Sequence, residues 1–247
     1  MRVFITGGTT GIGLELAKVY LDKGATVGVC GRDESKLPEN LKNHWRLKFF
    51  SIDVKSRERV LEVLVEFCRE GIDLVIANAG KGMEVKGKIP NFERSKDVID
   101  INILGVLYTA EACLPKMLKQ KKGHFVAISS VSGFMGLPGA SSYCASKAAV
   151  TTLMESYDLD LSPQGLNFTT ICPGFIDTPL TQKNHHPMPF LMSASKAAEK
   201  ISKAIEKKKT LYIFPWQMKL VVIFLNKVPR HIYRFLMKLP MLNYSNN

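Results

Sequence analysis

The sequence predicts an α/β protein built on one parallel sheet, doubly wound, with helices on both faces and amphipathic helices added at the C-terminus. Three observations carry this. Short, nearly continuous apolar runs alternate with longer amphipathic stretches, as in a sheet buried on both sides. A glycine-rich turn joins the first apolar run to the first helical stretch. No repeat, low-complexity tract or flexible linker interrupts the pattern before residue 181.

Taken in order, "RVFIT" (2–6), "ATVGVC" (25–30), "LKFFSI" (47–52), "DLVIAN" (73–78), "HFVAIS" (124–129) and "NFTTIC" (167–172) read as buried strands, and "TLYIF" (210–214) as a seventh. Their lengths and β-branched or aromatic content separate them from helices. Helical spacing predicts helices near 12–22, 56–69, 96–119, 143–160 and 194–207. Residues 1–214 therefore form the predicted α/β domain, and 215–247 a basic apolar tail.

A chain of 247 residues with 46% hydrophobic and 23% charged residues can bury a large core, which excludes disorder. The net charge of +12 is uneven: residues 181–247 hold twelve Lys/Arg against Glu199 and Glu206. Such a surface suits an anionic lipid or an acidic partner. No nucleic-acid-binding motif accompanies it, so nucleic acid is not expected. The five cysteines are scattered, without a Cys-x-x-Cys pair, and are expected to be reduced and buried in a cytoplasmic protein. Met1-Arg2 leads straight into the first strand, so no export signal is expected.

The chemistry starts at "TGGTTGIG" (6–13). Gly7, Gly11 and Gly13 let the backbone turn tightly and approach a pyrophosphate, which would lie at the N-terminus of the following helix. The spacing departs from G-x-G-x-x-G, but the strand before it and the helix after it support a Rossmann-type dinucleotide site. After the second strand comes "CGRDESK". Arg32 offers bidentate bonds to a 2′-phosphate, which favours NADP over NAD. Asp33 has two uses open to it, capping the next helix or pairing with Arg32.

In "ISSVSGFMGLPGASSYCASK" (128–147), Tyr143 and Lys147 stand at i and i+4 and share a helix face. A free tyrosine ionises near 10, and a neighbouring ammonium should bring it towards a useful range. Ser130, at the preceding strand end, can hydrogen-bond a substrate oxygen.

These stretches resemble the short-chain dehydrogenase/reductases over roughly residues 1–180, and on through the strand at 210–214. The matching motifs are "TGGTTGIG", "NAG" (78–80), Asn102 in "INILG", the Ser130/Tyr143/Lys147 set and "PGFIDT" (173–178). The resemblance implies Tyr143 as general acid/base and Ser130 as polariser of the carbonyl. It implies Lys147 on the nicotinamide ribose and Asn102 holding a water in a proton relay. The cofactor contacts it implies are Gly7, Thr9, Thr10, Gly11, Ile12, Gly13, Asp53, Val54, Asn78, Ala79, Gly80, Pro173, Gly174, Ile176 and Thr178. It also implies a homodimer through the helices at 96–119 and 143–160. Two departures stand out: Ala77 replaces the usual asparagine before Asn78, and a basic tail replaces a short glycine-rich end.

His185 and His186 lack a third ligand at plausible spacing, so no metal site is expected. Their segment, 180–193, matches the family's substrate lid, with Met188, Phe190, Leu191 and Met192 as its apolar surface. The expected function is NADP(H)-dependent interconversion of a ketone or aldehyde and an alcohol, on a lipid-like, steroid-like or retinoid-like substrate. Alternatives are a 3-oxoacyl-[acyl-carrier-protein] reductase, whose carrier would meet the basic tail, and a non-catalytic NADP-binding regulator or scaffold. In the tail, "LVVIFL" (220–225) falls far short of the roughly 20 residues that cross a bilayer. Pro229 divides it into two helical pieces, expected to lie on a membrane surface over 215–240, with Trp216 and Tyr233 at headgroup level.

Overall fold

The structure is a computed structural model, and it describes residues 1–82, 89–183 and 187–238. Seven parallel strands form the sheet: β1 (Arg2–Thr6), β2 (Thr26–Gly31), β3 (Leu47–Ser51), β4 (Leu74–Ala77), β5 (Gly123–Ile128), β6 (Leu166–Pro173) and, after two short strands, β9 (Leu211–Phe214). Their order is β3-β2-β1-β4-β5-β6-β9, as the apolar runs predict. The central strands are covered on both faces, and all six residues of β5 are buried. The two short strands, β7 (Ile176–Asp177) and β8 (Met192–Ser193), pair with each other beside the sheet; no pattern in the sequence announces them.

Helices α1 (Gly11–Asp22) and α7 (Ala194–Glu206) cover one face. Leu16, Ala17 and Tyr20 meet Ala197, Ala198 and Ile201 there, so two helices far apart in the chain share one core. The other face is covered by α3 (Arg57–Phe67), α5 (Gly105–Gln120) and α6 (Ser141–Leu161). Phe4 lies between Phe50 and Phe67, with ring centroids at 5.8 and 5.2 Å. Removing a ring so enclosed costs about 3–5 kcal/mol. All five cysteines are buried and free.

The helix expected near 96–119 is two helices with an irregular joint. Asn91 accepts from the Arg94 backbone N–H and starts α4 (Phe92–Ile99) earlier than the apolar spacing suggests. A π-helical turn, Asp100–Leu104, then leads into α5. The stretch Phe92–Gln120 has the length and hydropathy of a membrane span, yet Val106, Ala110, Cys113 and Met117 lie in the core. A short helix, α2 (Glu39–Lys42), completes the sheet side of the molecule.

The tail divides as Pro229 predicts, into α8 (Trp216–Lys227) and α9 (Arg230–Leu236). One expectation is overturned. Tyr233 does not sit at an outer surface: it is 6% exposed, and its hydroxyl donates to the Gly136 carbonyl. A tyrosine suits a membrane interface and a buried seat equally, provided its hydroxyl finds a partner; here the partner lies 97 residues back in the chain. The His185/His186 pair and Leu239 lie outside the described residues.

Candidate active site

In an open parallel sheet, ligands bind beyond the carboxyl ends of the strands, where the strand order reverses. Here that point lies between β1 and β4. Five connections meet there, those following β1, β2, β4, β5 and β6. Between them they carry almost every predicted site residue.

The β1–α1 turn is set by two glycines. Gly7 has a φ of +64°, which disfavours other residues. A side-chain carbon on Gly13 would stand 2.3 Å from the Gly7 carbonyl oxygen. Thr10 makes no side-chain cap on α1, and the first turn of α1 has no acidic residue. The free N–H groups and positive end of this helix are therefore available to an anion. The turn is braced from β4: Asn78 Nδ2 donates to the carbonyls of Thr6 and Gly7, both at 3.0 Å. Thr6 Oγ1 accepts from the backbone N–H groups of Asn78 and Ala79. Thr178, from the β6 side, packs against Gly11, where an added carbon would be 3.0 Å from its methyl group. Ile176 is buried beside it, and Pro173 closes β6.

At the end of β2, Arg32 is exposed and has no ion-pair partner among the described residues. The two uses of Asp33 resolve in favour of capping: it accepts from Ser35 N at 3.0 Å and Ser35 Oγ at 2.6 Å. These bonds hold its carboxyl below the ordinary value. Asp53 is tied to its own turn through Lys55 N at 3.0 Å, and Val54 packs against Gly105. The uncapped helix, the glycine cradle and the unpaired guanidinium fit a phosphorylated dinucleotide.

The π-helical turn carries Asn102, fully buried. Its Oδ1 accepts from Lys81 N at 2.8 Å, while Nδ2 donates to Lys81 O at 3.0 Å and Ser146 Oγ at 2.9 Å. Ser146 Oγ donates in turn to the Tyr143 carbonyl at 2.8 Å. Lys81 is anchored by an ion pair to Asp97, whose carboxyl is held down to about 2 by hydrogen bonds from Lys55 and Lys81. Gly80, between these groups, leaves room next to both Asn102 and the Lys147 ammonium.

Tyr143 and Lys147 share one side of α6, as their spacing predicts, with Lys147 Nζ 5.8 Å from the Tyr143 ring centre. The ammonium donates to the Ile128 carbonyl at 2.8 Å. Ser129 Oγ donates to the Lys147 carbonyl at 2.9 Å and fixes α6 against β5. Tyr143 bonds Ser130, which is buried at the start of a 3₁₀ turn, Val131–Phe134. The expected fall in the tyrosine value is not what this site produces. Burial pushes the Tyr143 phenol above its ordinary value, and the Ser130 bond draws it only partly back. Burial also brings Lys147 down to about 8. Desolvation is the largest cause for both groups and sets the direction of each.

The structure thus gathers Asn102, Ser130, Tyr143 and Lys147 with the glycine turn. It adds supports that the sequence reading missed. Thr6, Ser129 and Ser146 all lie inside the quoted motifs, but each has a partner 18 to 73 residues away.

This arrangement is that of a nicotinamide-dependent oxidoreductase fold. The short chain dehydrogenase family model matches residues 1–189, and the chain belongs to the short-chain dehydrogenase/reductase family. An uncharacterized oxidoreductase of Myxococcus xanthus (strain DK1622) is 38% identical over 221 residues, covering 87% of each chain. One from Staphylococcus aureus (strain USA300) is 37% identical over 183 residues, covering 72% of this chain and 78% of that one. The crystal structure of a short chain dehydrogenase from Burkholderia cenocepacia J2315, in complex with NADP, superposes with a TM-score of 0.84 at 22% identity, covering 97% of this chain and 98% of that one.

Proposed function

We propose that this oxidoreductase is an NADPH-dependent carbonyl reductase acting on a hydrophobic ketone or aldehyde at a membrane surface. The observation that carries the reading is the Ser130–Tyr143–Lys147 set at the end of β5. A Tyr143 phenol held above its ordinary value stays protonated at neutral pH, as a proton donor to a forming alkoxide must. The cofactor, when bound, supplies the hydride that reduces the carbonyl carbon. Ser130 and Tyr143 polarise the carbonyl oxygen beforehand, and Tyr143 gives the resulting alkoxide the proton that completes the alcohol. Asn102, buried and fully engaged, holds the Lys81 backbone and Ser146 in place beside them. Lys147 binds the ribose with the ammonium donors that Ile128 does not use. Arg32 takes the 2′-phosphate, and the remaining cofactor contacts are the cradle residues already described.

The membrane part rests on α8. Met218, Val222 and Leu225 face inward, while Trp216, Leu220, Ile223 and Phe224 form an exposed apolar stripe on the opposite side. A helix with apolar residues on two opposite faces requires cover on both. Phe190 and Leu191 of the lid are exposed as well. From Lys207 to the end the chain has eight Lys/Arg and no acidic residue, which suits an anionic bilayer on the cytoplasmic side. A homodimer through α5 and α6 completes the reading.

The test is NADPH oxidation with ketones and aldehydes of increasing chain length. Tyr143→Phe should lower kcat/KM by roughly a hundred- to ten-thousand-fold while NADPH binding persists. Survival of activity in that variant would sink the mechanism. Flotation with anionic liposomes separates the membrane reading from an acyl-carrier partner, since only the first predicts binding to lipid alone.

A further inference from the structure

We infer that Tyr233 is a positioning residue for the reaction centre, holding the segment between Ser130 and Tyr143 in place from the C-terminal tail. That segment is well bonded at its two ends. Ser132 N donates to Ser130 Oγ at 3.1 Å and Gly133 N to Ser130 O at 3.0 Å. At the far end, Ala140 N donates to Leu137 O at 3.2 Å and Cys144 N to Ala140 O at 2.8 Å.

The middle is different. No backbone N–H among the described residues donates to the Gly136 carbonyl, and nothing lies within 4 Å of where a Gly136 side-chain carbon would be. The Tyr233 hydroxyl supplies the donor, at 2.5 Å. Tyr233 is also the one buried residue of the seven in α9, so this contact is how α9 is attached. Burial raises its phenol, which keeps the donor proton in place across neutral pH.

The tail reaches the site from a second direction too. Pro215 and Met218 pack against Gly174, where an added carbon would be 3.0 Å from Met218 Cγ. Gly174 directly follows Pro173 at the end of β6, and its N–H donates to Phe214 O at 2.7 Å. The tail therefore bears on the loop that precedes the catalytic tyrosine and on the end of β6. Its departure from the family's short ending has a role in the site itself, beyond any surface it offers outside.

The inference rests on the reductase reading for its kinetic consequence, but not for its structural one. The experiment compares the full-length protein with Tyr233→Phe, which keeps the ring and removes only the donor, and with Tyr233→Ala. Backbone amide exchange over 131–143 should speed up about fivefold in Tyr233→Phe, while strands β1, β4 and β5 exchange as before. With NADPH and a long-chain aldehyde, kcat should fall by a similar factor and the KM for NADPH stay unchanged. Tyr233→Ala should show both effects more strongly. Unchanged exchange over 131–143 in both variants would overturn the inference, as would an equal rise throughout the molecule, the mark of a merely stabilising contact. Exchange that responds in a protein with no carbonyl reduction would strike the reductase reading and leave the Tyr233 contact standing.

Discussion

Lys147 Nζ donates to the carbonyl of Ile128 at 2.8 Å, so the ammonium is pinned to the last residue of β5. It is 5% exposed, and burial lowers it to about 8. Below that pH the group is an ammonium; above it, the charge proposed to hold the ribose is lost. NADPH affinity should therefore weaken as pH rises through about 8, read by fluorescence titration. Lys147→Arg, which stays charged, should flatten that dependence even if binding is weaker throughout. The same shift makes stability rise with pH between about 8 and the unfolded lysine value near 10.4, because the unfolded chain then binds more protons.

Arg32 stands free at the end of β2 because Asp33 is committed to Ser35. Arg32→Ala should raise the KM for NADPH roughly ten- to hundredfold, the worth of a charge-assisted bond to a phosphate, and leave the KM for NADH nearly unchanged. Equal losses with both cofactors would show that Arg32 does not read the phosphate.

Ser146 joins Asn102 to the backbone of Tyr143. Ser146→Ala leaves the Asn102 amide with one bond fewer in a buried place, at a cost of about 1–3 kcal/mol. A fall in Tm of several degrees is expected for a chain of this size. Turnover should fall with it, measured well below the new Tm, because Asn102 loses its link to α6.

His124 lies inside β5 and shares a 2.7 Å hydrogen bond with Thr169 Oγ1. Burial lowers it to about 4. The folded protein resists protonating it while the unfolded chain accepts the proton near 6.5. Its contribution is thus fully present above 6.5 and is lost as pH falls towards 4, at most about 3 kcal/mol. Thermal melts between pH 7 and 4 should show this loss, and His124→Gln should reduce the slope.

Much of this protein is written locally. Apolar runs of strand length, helical spacing and glycines in a strand–turn–helix context predict the seven-stranded parallel sheet, and the chemistry of Ser130, Tyr143 and Lys147 can be read from residue types at short spacings. Pro229 likewise marks the break between α8 and α9, because a ring that lacks an N–H cannot continue a helix. Where local signals compete the reading is poorer: the Asn91 cap moved the start of α4, and the π-helical turn at Asn102 left no trace in the apolar periodicity.

What only the tertiary structure decided are the long-range partners. The spacing of Tyr143 and Lys147 argues for a lowered phenol, but the depth of the site, which depends on how strands and helices enclose it, reverses the sign. Tyr233 is the plainest case. Its neighbours in sequence suggest an outward-facing residue, and only the docking of the tail against the loop at Gly136 turns it inward. Local pattern determines which faces of an element are apolar. It does not determine which distant carbonyl that face will meet, since that depends on how all the elements pack at once.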